Sequence, residues 1–582
     1  MKEYIPNPSD EAFPMATQKS WRDRILRAAL LVVLAHILVK FISLAQNHYL
    51  GRFFDETERD VFVATFKFIF LTIFLVGEES FGPVFLPAFM RFKEQDGERE
   101  AWRFASVMFN GYFVALVGIA LVLIFMPSLA TDICTQWGPE NAAELSLAHR
   151  LIPLMAPGLV GMGLGSLTYL LLSSRESFFW AAAGDVVVKV GIVIGILSAG
   201  VLMKRTDMSP ATGLALVMIG VAAGGTCKLL THIVALGAER KRWRLTLRCK
   251  GVHLKYFAVL VLPMLVGIIF AKVRDVFNHL WILSEFKGLI TANAFGKTIA
   301  DSVHFLVPYA VSIALLPYFC MLAEGSNASK FAEILRNSTR AMLFVFVPLS
   351  LALVVVSFPL TRGFYEAGKF TAEHVRPTAT ANACYVLGLS FAAVESVLMQ
   401  AFFSKRSVWT PAIIGMFCSS LSMALSFMGI KVLGVAPVYV VPVVACGFVL
   451  SRFVKVLLLG WLFNRVVPFI DLPAIRSSFF SVGAVGATSL CVALGCYGGI
   501  EWVLSNVSLA ARVFGALGNV GYLAQSGAIC ALAACGVIAV SYVLRLEELG
   551  WLLSWGAEKY PQLNHPILQH LQTRFAAERE RP

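Results

Sequence analysis

Ionisable residues interrupt the apolar runs of this chain at few places, and those are where any chemistry must occur. In order they are Lys40; Lys67 with Glu78 and Glu79; Asp185 and Lys189; Lys228 and His232; Lys272, Arg274, Asp275 and His279; Lys297, Asp301 and His304; Glu395; and, near the cytoplasmic end of the twelfth run, Arg452 and Lys455. A charge at the centre of a bilayer costs about 2.5–3.5 kcal/mol on insertion scales, so it persists only beside a partner or a wet cavity, where it marks a substrate or ion pathway. The set gathers in the first, second, seventh and eighth apolar runs. No nucleophile–base pattern accompanies it, and no His/Cys/Asp/Glu group has metal-ligand spacing. The chemistry is therefore that of charge, with no enzymatic step expected.

Local spacing offers each residue a plainer role. Asp185 and Lys189 are four apart with the acid first, the order of a good intrahelical pair, and are expected to bond to each other. Lys297 and Asp301 share that spacing. Lys272 has the reach to snorkel to an interface. His232 and His304 read as satisfied hydrogen-bonding residues. Glu78 and Glu79 are flanked by Gly77, Gly82 and Pro83. Freed backbone groups at membrane depth are tolerated only beside protein or water, so a bent or broken span is expected there, with at least one glutamate facing a cavity. The alternative ends the span at Val76 and lays the following stretch along the interface.

The elements that must position these charges follow from composition. Of 582 residues, 58% are hydrophobic and 15% charged. Soluble domains carry roughly 45–50% and about 25%, so this is a polytopic membrane protein. The net charge of +13 sits in short loops between apolar runs, where it sets orientation; nucleic acid is not implied. The apolar runs have helical length, not the alternation of a barrel. Fourteen spans are expected, near 28–50, 61–90, 104–127, 148–173, 178–202, 211–236, 255–283, 289–322, 339–359, 378–403, 408–434, 437–463, 475–499 and 525–545. The region Glu501–Tyr522 reads as a surface helix or a span end. No cleavable signal is apparent in the polar first 20 residues. The excess of Lys and Arg in alternate loops places both termini in the cytoplasm.

Four matched positions suggest an internal repeat. Pro87 and Pro317, Gly158 and Gly388, Arg175 and Arg406, and Pro127 and Pro359 are each about 230 residues apart and in order. Two six-helix lobes around a central cavity, with two further C-terminal helices, are expected. The boundaries are an N-terminal segment 1–27, an N-lobe 28–238, a basic inter-lobe loop 239–254, a C-lobe 255–465, two appended helices within 466–546 and a tail 547–582.

Several stretches carry a family likeness. "GFYEAGKFTAEHV" from Gly363, "YVLGLSFAAVESVLMQAFFSKRSVWTP" after it, "RDVFVATFKF" from Arg59, "GEESFGPVFLPAFMRFKEQDGEREAWRFA" and "SIALLPYFCML" occur in order. Together they resemble the MviN/MurJ-type lipid II flippases of the multidrug/oligosaccharidyl-lipid/polysaccharide exporter superfamily, over roughly residues 28–465. The resemblance implies fourteen helices, alternating access and cavity arginines that hold a lipid-linked pyrophosphate. At those arginine positions this chain has Lys40, Gln46, Ile73 and, at or beside the eighth-helix position, Lys297. The family's acidic and lysine positions fall at Asp60, Glu78, Lys67 and Asp275. Lysine keeps the charge but loses the bidentate fork of arginine.

On this resemblance Lys40, Lys67, Arg274 and Lys297 are expected to bind the anionic head group of a lipid-linked oligosaccharide. Asp60, Glu78 and Asp275 would pair with those cations or carry a coupling cation of unspecified identity. No resident cofactor or metal is implied; the partners are the lipid-linked substrate and membrane lipids, and a monomer is expected. A second reading is a cation-coupled exporter of small molecules or of another polysaccharide lipid on the same fold. A third is a membrane scaffold acting through the basic loop from Glu239 to Lys255.

Overall fold

A computed structural model describes residues 15–247, 254–306, 315, 319, 320, 322, 328–405 and 407–550. In hydrocarbon every backbone N–H and C=O must be paired within its own segment, and these apolar runs meet that demand as helices. Helix α1 runs Met15–Phe53. The second segment is continuous, α2 (Glu56–Gln95), with a π-helical turn at Val63–Phe70. There follow α3 (Glu98–Phe125), the short α4 (Pro127–Cys134), α5 (Ala142–Ser173), α6 (Phe178–Arg205) and α7 (Pro210–Leu236). The other half holds α8 (Leu254–Val276), whose end is a π turn at Phe277–Trp281, then α9 (Leu289–Leu306) and α10 (Ala328–Val355). A short α11 (Ser357–Tyr365) precedes α12 (Ala372–Leu387) and α13 (Leu389–Ser404), which meet at Gly388 with a 40° bend. Then come α14 (Trp409–Phe427) and α15 (Pro437–Val466). The last elements are α16 (Leu472–Asn506), α17 (Ser508–Leu517) and α18 (Asn519–Val543).

Among the described residues ten helices are long and apolar enough to cross a membrane, or eleven if α12 and α13 make one span. The first, seventh and eighth expected spans run into residues whose side chains lie outside the described set, as do Pro317 and Arg406 of the repeat. The short helix that carries Pro127 after α3 has a counterpart carrying Pro359 after α10. Region 501–522 resolves into the end of α16, the ten-residue α17 and the start of α18.

The first half packs through small residues, as membrane helices do when backbones approach closely. A Cβ at Gly161 of α5 would sit 2.6 Å from the Gly225 backbone of α7, so a larger residue there would push the helices apart. The second half packs through aromatic rings, among them Phe331, Phe402 and Phe463. Helices α16 and α18 lie against each other and against α10.

Two local expectations fail. The second span is not broken at Glu78–Glu79: α2 passes through both, and its irregularity is the π turn around Lys67. The backbone there stays paired within the helix, so glycine and proline composition did not translate into a break. Asp185 and Lys189 do not pair either. Asp185 Oδ1 accepts from Lys228 Nζ at 2.6 Å, and Lys189 turns to another neighbour. Lys228 is almost wholly buried, and a buried ammonium left without a carboxylate is costly.

Candidate functional site

The π turn of α2 brings Lys67 to the other half of the molecule. Lys67 Nζ donates to Ala294 O at 3.0 Å and to Thr298 Oγ1 at 3.3 Å, both on α9. A π turn inserts one extra residue per turn, and such turns recur at functional sites. Asp301 on α9 acts electrostatically on both Lys40 and Lys67, and Lys67 also senses Lys40, Lys189 and Lys297. Lys189 Nζ lies 3.5 Å from Gln46 Oε1 of α1 and over the Phe66 ring. Lysines from α1, α2, α6 and α9 therefore converge where the two halves face each other.

Beside them lies a second set on α8 and α9. Asp275 accepts from Arg274 Nη2 at 2.8 Å and has Lys297 Nζ at 4.0 Å and His279 Nε2 at 3.8 Å. Lys297 Nζ is 3.2 Å from His279 Nε2, and His279 Nδ1 is 2.9 Å from Asn293 Nδ2. Tyr385 Oη donates to Asn293 Oδ1 at 2.9 Å, which fixes the amide from a third helix. Arg274, Lys297 and Arg452 all lie about 5 Å from the Phe448 ring centroid. A ring face attracts cations, so Phe448 helps to hold three like charges together. Arg274, Asp275 and Lys297 keep 15–24% of their side-chain surface exposed.

The other site residues expected from sequence lie elsewhere. Glu78 turns into its own half, where its Oε1 accepts from Ser166 Oγ at 2.9 Å and it senses Lys228 and Asp185. It is Glu79 that crosses, to Lys272 Nζ at 2.7 Å. Asp60 is buried at one end of the seam, where Oδ2 accepts from Gly288 N at 2.6 Å and Oδ1 from Thr291 N at 2.9 Å and Thr291 Oγ1 at 2.5 Å. It is thus a cap for the start of α9 supplied from the opposite half. Of the expected residues, Lys40, Lys67, Arg274, Asp275 and Lys297 gather, whereas Asp60 and Glu78 do not join them. Sequence reasoning assigned Lys189 to a local pair and overlooked Asn293, Tyr385 and Phe448. Uncharged residues in apolar runs give no signal of this kind.

Comparisons with known proteins place the chain in a family. A sequence profile described as Lipid II flippase MurJ matches residues 49–514. This chain belongs to the MurJ family. A probable lipid II flippase MurJ of Rhizobium tropici is 26% identical over 377 residues, 64% of this chain and 69% of that protein. The solved structure of a lipid II flippase MurJ in an inward closed conformation aligns at a TM-score of 0.69 and 19% identity, covering 88% of this chain and 98% of that one. An inward-facing multidrug resistance MATE transporter aligns at 0.61 and 12% identity, covering 75% and 97%. At these identities the structural likenesses speak for the fold. Within the MurJ frame, Gln46 stands at an arginine position implied by the sequence resemblance, and Lys189 brings an ammonium to it from another helix.

Proposed function

We propose that this chain moves a lipid-linked oligosaccharide with a pyrophosphate head, lipid II or a close relative, across the cytoplasmic membrane by alternating access. Lys40, Lys67, Lys189, Arg274 and Lys297 hold the anionic head group between the halves while the lipid tail stays in the bilayer. The reading rests above all on Lys67, which belongs to one half and bonds to the other. An anion arriving there competes for the ammonium, so binding and the contact between halves are linked. Arg274 is the one arginine in the set. Lysines serve phosphate as point charges rather than forks, which suits a head group that must also leave.

Translocation makes and breaks no covalent bond, so no catalytic residue is assigned. Asp275, framed by Arg274, His279 and Lys297, is the proposed carboxylate through which a coupling cation acts. The basic loops support cytoplasmic termini, and in that orientation the Asp60 end of the seam is the outer end. The exporter reading draws its support from Gln46 and Ile73, where the resemblance implies arginine.

The test is lipid II translocation by the purified full chain in vesicles. Lys67→Ala should lower the rate at least about tenfold, the equivalent of roughly 1.4 kcal/mol, and Lys67→Arg should restore most of it. Unchanged translocation in a Lys40→Ala, Lys67→Ala, Lys297→Ala triple variant would overturn the assignment.

A further inference from the structure

A roomy cleft lies away from the charged seam. It has a volume of about 1010 Å³ and lies at the Asp60 end of the second half. Its walls are the segment entering α9, the end of α10, and the first turns of α12 and α15. Ligand pockets run to roughly 300–1,000 Å³, so this one stands at the upper end of that range. The mouth carries Lys287 and Arg376, both exposed. Below them the lining is apolar: Val354, Phe358, Ala383, Val438 and Val441.

The polarity of the cleft runs along one helix. Arg376, Thr380 and Ala383 line it at i, i+4 and i+7, the spacing of a single helical face, which Leu387 at i+11 continues beyond the cleft. That face passes from cation through hydroxyl to methyl to isobutyl over about 16 Å of rise at 1.5 Å per residue. A membrane lipid has the same sequence of polarity from phosphate through ester to chain. Glu285, the acid of the cleft, is engaged by Lys431. Among the described residues no carboxylate lies within ion-pair distance of Lys287 or Arg376, and Glu373, one turn before Arg376, does not reach it. Two cations above an apolar slot at the depth of a leaflet surface form a head-group site for an anionic lipid.

We propose that this cleft binds one anionic glycerophospholipid of the adjacent leaflet, its phosphate on Arg376 and Lys287 and its chains along the α12 stripe. The site is separate from the cargo cations, since it shares none of their side chains. It does share a wall with the seam. Leu289 and Pro377 line both the cleft and the smaller hollow that contains Arg59 and Thr291, so a bound lipid braces the start of α9 where Asp60 caps it.

The experiment is native mass spectrometry of the full chain, titrated with phosphatidylglycerol after delipidation. Wild type should retain one lipid. The Arg376→Gln, Lys287→Gln double variant, which removes both cationic contacts, should retain it at least about tenfold less well, the equivalent of about 1.4 kcal/mol. Arg205→Gln, at the exposed end of α6, should behave as wild type. Ala383→Trp, which fills the slot and keeps both charges, should also lose the lipid. Equal retention in the double variant, an equal fall in Arg205→Gln, binding that survives the tryptophan, or preference for a polyprenyl phosphate over phosphatidylglycerol would each overturn the proposal.

Discussion

The seam between the two halves is built differently at its two ends. At the Asp60 end the contacts are dense, short and largely to backbone. Asp60 caps α9 through three hydrogen bonds. His48 Nδ1 bonds to Phe364 O at 2.7 Å, and Lys369 N donates to Arg52 O at 3.3 Å. Gln136 N donates to Ser284 Oγ at 2.8 Å and its amide to Trp281 O at 3.2 Å. Lys369 also pairs with Asp55 at 2.5 Å, and Arg59 lies over Phe370. At the opposite end the described polar crossing is Glu79–Lys272, with Glu79 44% exposed. Backbone partners cannot rotate away and are costly to leave unpaired, whereas an exposed ion pair exchanges readily for water. Among the described residues the difference teaches which end is latched and which is tied by one pair. A machine of this build would open first at the Glu79 end.

The largest effect should come from filling the tightest point of the latch. Gly368 has φ +57°, and a Cβ there would lie 2.3 Å from Arg52 O, a backbone atom. Gly368→Val therefore combines left-handed strain of about 1–3 kcal/mol with a clash that only separation of the halves relieves. Spin-label distances across that end should lengthen and lipid II translocation should fall to near background. An unchanged distance distribution would mean the latch is softer than its contacts imply.

Asp60→Asn should come next. The amide keeps one acceptor oxygen but loses the charge and the second acceptor, and hydrogen bonds to a charged group contribute about 1.5–3 kcal/mol. The population open at that end should rise on the order of tenfold or more, with a lower melting temperature. If instead translocation stops while the distances stay fixed, Asp60 acts on the cargo and not on the latch.

These contrasts also show what the sequence could reveal. Membrane class, helical build and the family were legible, because hydrophobic run length and ordered local stretches need no tertiary information. The gathering of Lys40, Lys67, Arg274, Asp275 and Lys297 was legible in outline, since charge in an apolar run has few places to go. What stayed hidden required knowing which helix faces which. Asp185 chose Lys228 over a neighbour four residues away because the buried ammonium had more to gain. Glu78 and Glu79 are adjacent, so they point about 100° apart on a helix of 3.6 residues per turn, and one serves its own half while the other crosses. The π turns at Lys67 and His279 left no compositional trace.

The smallest effect should fall on the tie. An exposed pair contributes about 0–1 kcal/mol and is screened by salt. Lys272→Ala and Glu79→Ala should each change translocation by less than about fivefold, the equivalent of that range. Their double-mutant cycle should give a coupling energy under about 1 kcal/mol that shrinks as ionic strength rises. Exchanging the charges, Glu79→Lys with Lys272→Glu, should restore the wild-type rate, because only proximity of opposite charges matters at an exposed site. Lys272 complicates the expectation in one respect: its side chain is 13% exposed, far less than that of its partner. Leaving that ammonium without Glu79 therefore costs more than leaving the carboxylate without Lys272. Glu79→Ala should be the more damaging of the two single variants, and a coupling of several kcal/mol would show that this end too is latched.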